Sequence, residues 1–489
     1  MRRYTVGTVL ATILLMVVAT GALSTPKNSD ELLKEEVHRL QQANTQFTGG
    51  QKGGEASGIA VVGQHDLGGR GFNADVWFHD DVAYVGRWGF TDWAQGSKQR
   101  FCPDDPDNGI AVVDVSDPSD PDMVSTLDQP AGTSVEDVVV YTAESGPMAG
   151  QDIAVGGIQV CGGSRSDTTF PRGLMTWDVT DPANPVELGF EDTGCCTRGV
   201  HEFEVEHRAD LGRTFAYATV PASEYEDPNT SSGFRDELGR GDFRLIDITD
   251  PNDPVEVSNW GVIHDAGGPL GPGQGCDPDP VFGHGAEPSE DGTEVFVAYW
   301  DSGFVALDVT DPTDPTLLGD TDYAADEEGN GHSSMFDDAR QLLFTADEEF
   351  CPGLQSGPEI EPGLGYLRVY DYSDRGSPVQ IGEYRTPNSQ FAGTPASGDY
   401  TIHNVFLVGT DAYISWYSDG VRVVDASDPT APEEVAFFVP PAGQNPVKPS
   451  QRGVLSQTPQ VWGVVVDEAT GLIYASDMNT GLWILERTA

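Results

Sequence analysis

The stretch Gly420 to Phe438, GVRVVDASDPTAPEEVAFF, is one copy of a unit that recurs along the chain. A recurring unit restricts the architecture more than any single motif can. In each copy an apolar strand ends in an acid, Ser/Thr-Asp-Pro follows, and a second Pro introduces another apolar strand. The other copies are GIAVVDVSDPSDPDMVSTL from Gly109, GLMTWDVTDPANPVELGF from Gly173, DFRLIDITDPNDPVEVSNW from Asp242 and GFVALDVTDPTDPTLLGD from Gly303. A drifted copy starts at Tyr366, and a truncated one, GLWILERTA, at Gly481. The strand-ending acids are Asp114, Asp178, Asp247, Asp308, Asp371, Asp425 and Glu486, spaced by 64, 69, 61, 63, 54 and 61 residues.

Each copy is the second half of a longer unit. Over 400–439 the strands YTIHNVFLV, AYISWY, VRVVDA and EEVAFFV are separated by Gly409-Thr410-Asp411, Ser418-Asp419-Gly420 and SDPTAP. Four short antiparallel strands per repeat are the pattern of a β-propeller blade. The same reading fits 72–127, 134–191, 199–260, 281–320 and 330–385. The last unit, from Gln460, stops one strand short. The expected fold is therefore all-β, a seven-bladed β-propeller over residues 58–489. The strand GIAVVGQHDL, 58–67, is expected to supply the missing outer strand of blade seven and leave no open edge.

The repeated V-D-x-[ST]-D-P-x-x-P spacing resembles the LVIVD repeat family of extracytoplasmic propeller-type proteins, over roughly residues 57–489. The resemblance implies the fold and an extracytoplasmic setting, and no particular reaction. Read from its residues, the Asp-Pro segment is turn chemistry. Asp and Ser/Thr bond the local backbone, and Pro fixes φ. One acid per turn in separate blades is too sparse for calcium.

The chain carries 79 acids and 26 bases, a formal charge of -53, with only five lysines. Strands throughout exclude an acidic disordered chain. The composition resembles that of halophile proteins with a carboxylate-rich surface. It excludes nucleic acid and anionic lipid as partners, since both need basic patches. Residues 1–24, with an uncharged apolar run from Val6 to Leu23, read as a signal peptide or membrane anchor. Residues 25–57 read as a short helix from Ser29 to Asn44 followed by a flexible linker. Both place the propeller outside the cytoplasm, secreted or anchored, with membrane contact only through the N-terminal segment.

In a propeller, the turns between second and third strands lie on one face with the connections between blades; the Asp-Pro turns tile the other. The long insertions (88–108, 157–172, 221–240, 261–280, 347–365, 386–399 and 440–459) all map to the first face. So do the six cysteines, 102, 161, 195, 196, 276 and 351. Disulfides are expected outside the cytoplasm, and fifteen pairings are open. Unequal loops gathered on a rigid scaffold are where binding residues concentrate. Aromatics at the same turns, Trp88, Trp93, Tyr299, Trp300, Trp416 and Tyr417, can stack on ligands or pack between blades.

The innermost strands start at this face. Aligned there, they offer Ala74 (or Asn73), Glu136, His201, His284, His332, His403 and Trp462. Four of the nine histidines fall in consecutive blades of one column. Converging imidazoles suit iron, copper, zinc or manganese, with Glu136 alongside and acids such as Glu202 orienting the rings. Carotenoid-cleaving oxygenases, propellers with four axial histidines on iron, are an analogy of fold, without shared sequence motifs. Polar channel residues bonded to water and backbone are the plainer alternative. Two functions follow. One is a surface module that binds a protein, glycan or small molecule through the looped face. The other is a metal-dependent oxidoreductase using the four histidines.

Overall fold

The Asp-Pro segments are turns held by their own acids. Asp425 Oδ1 accepts from Ser427 N at 2.8 Å, and Asp428 Oδ1 from Thr430 N at 3.1 Å. The same pair of bonds recurs at Asp114 and Asp117, Asp178 and Asp181, Asp247 and Asp250, and Asp308 and Asp311. The drifted copy keeps it at Asp371 and Asp374. The hydroxyls of Ser116, Thr313 and Ser373, and then these backbone bonds, hold Asp114, Asp311 and Asp371 below the usual carboxylate range, and Ser427 N followed by its hydroxyl does so for Asp425. The turn reading of the repeat is what the structure contains.

A computed structural model describes residues 54–91, 100–102, 108–162, 168–194, 197–221, 240–268, 282–300, 302–321, 323, 330–349, 365–389, 399–443 and 458–488. The expected leader or anchor and the expected helix lie outside these residues, as does the linker up to residue 53. Trp93 and Cys195, Cys196, Cys276 and Cys351 lie outside them too. Among the described residues, no helix is long and apolar enough to cross a membrane.

The fold is all-β, built of antiparallel four-stranded groups in which successive strands pair; in the first group a two-stranded hairpin, Phe90–Thr91 with Arg100–Phe101, intervenes between the second and third strands. The groups begin at Asn73–His79, Thr133–Thr142, Phe203–Arg208, Gly283–Pro288, Gly331–Asp337, Val405–Val408 and Val461–Asp467. The first two are joined into one eight-stranded sheet by a single pair, Arg87↔Val135. The last group takes its fourth strand from the other end of the chain. Ile59–His65 pairs antiparallel with Gly481–Arg487, as the sequence predicts. Just before it, Glu55–Ser57 adds a fifth strand to the outer edge of the Val405 group.

The first strands of successive groups touch in order, and Val461–Asp467 in turn touches Asn73–His79. The apolar cores lie between neighbouring groups. Val421 and Val423 meet Val461 and Trp483 in one such core. Val76, Ala83 and Val113 meet Val465, Tyr474 and Ile484 in another. The last group is thus packed against the first as it is against the group before it.

The Asp-Pro turns also lock neighbouring groups together. Outer-strand glycines leave room for a carbonyl of the next group's turn. A Cβ would stand 2.0 Å from Pro118 O at Gly63, 2.5 Å from Pro251 O at Gly189 and 2.0 Å from Pro429 O at Gly382. At Ser125 the lock is a hydrogen bond to Pro182 O, 2.6 Å. The Gly63 contact joins the last group to the first.

Candidate metal centre

The aligned column lies at a recurrent irregularity of the first strand. Pairing with the second strand skips between Asn73 and Val76, Gly283 and Ala286, Gly331 and Ser333, and Val461 and Val464. In the second group the skipped residues are Glu136 and Asp137. A bulge leaves residues unpaired and re-aims their side chains. In the Val405 group the regular strand is shorter than the sequence suggests, and 402–404 are irregular. His403 N still donates to Ser415 O (2.9 Å), while Asn404 N bonds the Ser415 hydroxyl (2.9 Å). Ser415 N also donates to Asn404 O (2.9 Å), so His403 and Asn404 together oppose the single residue Ser415, as in a bulge.

All seven members of the column are buried. His201, His284, His332 and His403 form a continuous row, with ring centroids 4.3, 4.0 and 4.2 Å apart in that order, and Trp462 follows at 4.2 Å. His201 Nε2 and His284 Nε2 are 2.9 Å apart. Each ring has one nitrogen facing an acceptor. His201 Nδ1 is 2.5 Å from Glu136 Oε2, His284 Nδ1 is 3.6 Å from Glu202 Oε2, and His403 Nδ1 donates to Trp462 O at 2.8 Å. His332 Nε2 lies 3.5 Å from both Glu202 Oε1 and Glu348 Oε2. Among the described residues, the buried His284 Nδ1, His332 Nδ1 and His403 Nε2 have no hydrogen-bond partner.

Ligand atoms gather in two overlapping groups, Glu202 with His332 and His403, and His284 with His332 and Glu348, each within 4.8 Å. Glu136 touches His201 on the side away from His284 and takes an orienting position. Gln159 completes that end, donating to Glu136 Oε2 at 2.8 Å and lying 3.1 Å from His201 Nδ1. Gln159 and Glu348 carry no sequence signal that separates them from other polar residues. Glu348 sits on the run that follows the second strand of its group, outside the aligned column.

Burial dominates the electrostatics. It holds His284 and His332 well below the ordinary imidazole value, with neighbouring rings adding to the effect, and lowers His403 to about 3. It pushes Glu136 to about 7 against the Gln159 hydrogen bond and the Arg198 charge, and Glu348 to about 8 against the Tyr417 hydroxyl. Glu202 is raised well above its usual value by burial and then by Asp75 and Asp137. Neutral imidazoles present lone pairs. Two ring nitrogens at 2.9 Å need a proton or a cation between them. A divalent ion would satisfy the unpaired nitrogens and draw the carboxylates into their charged form. These residues fit a metal ion.

The aromatic residues divide. Trp300 stacks on His284 (5.4 Å), Tyr417 meets His403 edge-on (5.3 Å), and Trp88 lies 5.5 Å from Trp462. Tyr299 and Trp416 instead pack in cores, against Trp260 and Tyr384. His79 faces Asp80 and Asp152, and His207 faces Thr214, both away from this centre. Cys102 and Cys161 form a disulfide between the second-to-third-strand segments of the first two groups.

The fold and the site define an all-β repeat protein whose inner strands carry a buried His/Glu cluster able to hold a metal ion. Compared with known families, the chain matches the LVIVD repeat at residues 104–129, 292–322 and 402–438, and so carries that repeat in three separate groups. No curated protein matches it.

Proposed function

We propose that the protein is a seven-bladed β-propeller holding one divalent transition metal, iron, copper, zinc or manganese, on its axis. His201, His284, His332 and His403 would supply the ligands, and Glu136, Glu202 and Glu348 would orient the rings. Closed contact among the first strands supports the seven-bladed reading. The observation that carries the metal is the row of four buried imidazoles, three of them with a ring nitrogen unpaired among the described residues. The protein works outside the cytoplasm. It displays its loop-rich face, with the metal beneath, to a protein, glycan or small-molecule ligand. The Cys102–Cys161 disulfide on that face is consistent with an oxidising compartment.

One observation favours an oxidoreductase as the second reading. Tyr417, buried and hydrogen-bonded through its hydroxyl to Glu348, lies against His403, beside Trp462. A redox-active ion there would have an oxidisable phenol within one residue of its ligand shell. Elemental analysis of protein purified in high salt, beside a variant with all four histidines changed to Ala, tests the metal. About one ion per chain in the wild type and none in the variant is expected; equal content in both overturns the proposal.

A further inference from the structure

A second polar constellation lies next to the histidine row and is separate in chemistry. Asp75, Asp137, Glu202 and Asn404 directly follow Ala74, Glu136, His201 and His403 in sequence. With Glu204 and Glu287 they line one cavity of about 90 Å³, and no Lys or Arg is among the described residues that line it. Five carboxylates around one small space repel each other strongly unless protons or a cation neutralise them, and burial raises all five above the usual carboxylate range.

The carboxylates are held with oxygens to spare. Asp75 Oδ1 accepts from Asn404 Nδ2 at 2.8 Å, Asp137 Oδ2 from Phe203 N at 2.8 Å, and Glu287 Oε1 from Phe336 N at 3.5 Å. Among the described residues, Asp75 Oδ2 and Glu202 Oε1 lack a well-formed hydrogen bond although their residues are only 6% and 7% exposed; Asp75 also faces the Trp462 side chain, and Glu202 Oε1 stands 3.5 Å from His332 Nε2. Glycines keep the room these groups occupy. A Cβ at Gly463 would come within 2.7 Å of Asp75 Oδ1, and one at Gly285 within 2.9 Å of Glu202 Oε2.

We propose that this cavity binds a hard divalent cation, of the calcium or magnesium class, beside the histidine centre. The donor set is oxygen alone, which selects such ions, whereas the imidazoles select transition metals. Among the described residues, no three of these carboxylates bring ligand atoms within 4.8 Å of one another. The ion therefore keeps part of its water, which the cavity has space to hold. Glu202 lines the cavity and also faces His284 and His332, so its charge is shared between the two sites.

Terbium luminescence tests this, because Trp77 lines the cavity and can sensitise a lanthanide in it. The titration uses the full chain in molar KCl, where weak binding to surface acids is screened. A saturable Trp-sensitised signal displaced by Ca²⁺ or Mg²⁺ is expected. It should be weakened by about tenfold or more in Asp75→Asn/Glu204→Gln/Glu287→Gln. The single Asp75→Asn variant reads the same effect if the triple one does not fold. His284→Ala/His403→Ala should keep the signal while losing the transition metal, so failure of one site is distinguishable from failure of the other. No displaceable signal in the wild type, or an unchanged one in folded acid-site variants, overturns the proposal.

Discussion

The ring closure can be tested at one atom. Gly63 lies on the closing strand, opposite Ile484, and a Cβ there would stand 2.0 Å from Pro118 O and 3.3 Å from Pro121 Cδ. Ordinary contact needs about 3.4 Å or more, so Gly63→Ala requires the strand and the turn to separate by more than an ångström. The turn resists, because Asp114 and Asp117 clasp it from inside. Overpacking of this kind costs about 1–3 kcal/mol. The closing strand can relieve it by peeling from Gly481–Arg487, since only pairing and the burial of a few side chains such as Ile59 hold it. Urea unfolding should show the loss. Hydrogen exchange should show where it occurs, as faster exchange at Leu482 to Leu485. Gly382→Ala makes the same 2.0 Å clash with Pro429 O at an internal joint. It should cost a similar amount without quickening exchange at 482–485. Gly63→Ala within about 0.5 kcal/mol of wild type, with unchanged exchange there, would refute the lock.

Three further outcomes are expected. Arg368 and Asp347, both fully buried, pair at 2.5 Å just before Glu348. Arg368→Met should therefore cost about 3–5 kcal/mol in denaturant unfolding, and a cost under 1 kcal/mol would contradict it. The Cys102–Cys161 bridge closes 59 residues, so replacing both with Ser should lower stability by about 4 kcal/mol, and no change between oxidised and reduced wild type would count against it. Burial raises Glu136 to about 7 and Glu348 to about 8 in the folded chain, so in metal-free protein these two carboxyls contribute stability that is lost as pH rises from about 5 to 8, while the lowered His284, His332 and His403 act in the opposite sense below the ordinary imidazole value. Glu136→Gln/Glu348→Gln should remove the carboxyl contribution, so that stability falls less over that window than in the wild type; a slope unchanged in the variant would sink this assignment.

Much of this was legible in the chain because repetition converts sequence position into place. The Asp that ends each third strand marks the turn, and counting back from it found the column of Glu136, His201, His284, His332 and His403. The pairing of 59–65 with the last strand was legible because only one unit lacked a fourth strand and only one strand lacked a unit. What stayed hidden depends on contacts that cross groups. Glu348 and Gln159 reach the histidines from second strands and their ends, where no period aligns them. Cys161 was one of five possible partners for Cys102 until their segments were seen to meet. The Asp-Pro turn was readable as local chemistry, but its seat on the neighbouring group's glycine was not. The shorter strand at Val405 reflects Ser415, which His403 and Asn404 oppose together.

X-ray absorption at the edge of the bound metal tests the central claim most directly, because it reads ligand type without reference to activity. The account predicts nitrogen or oxygen neighbours at about 2.0–2.2 Å with the outer-shell scattering of three or four imidazoles. That scattering should vanish in the four-histidine variant. A sulfur shell at about 2.3 Å, or an oxygen-only shell without imidazole scattering, would contradict it.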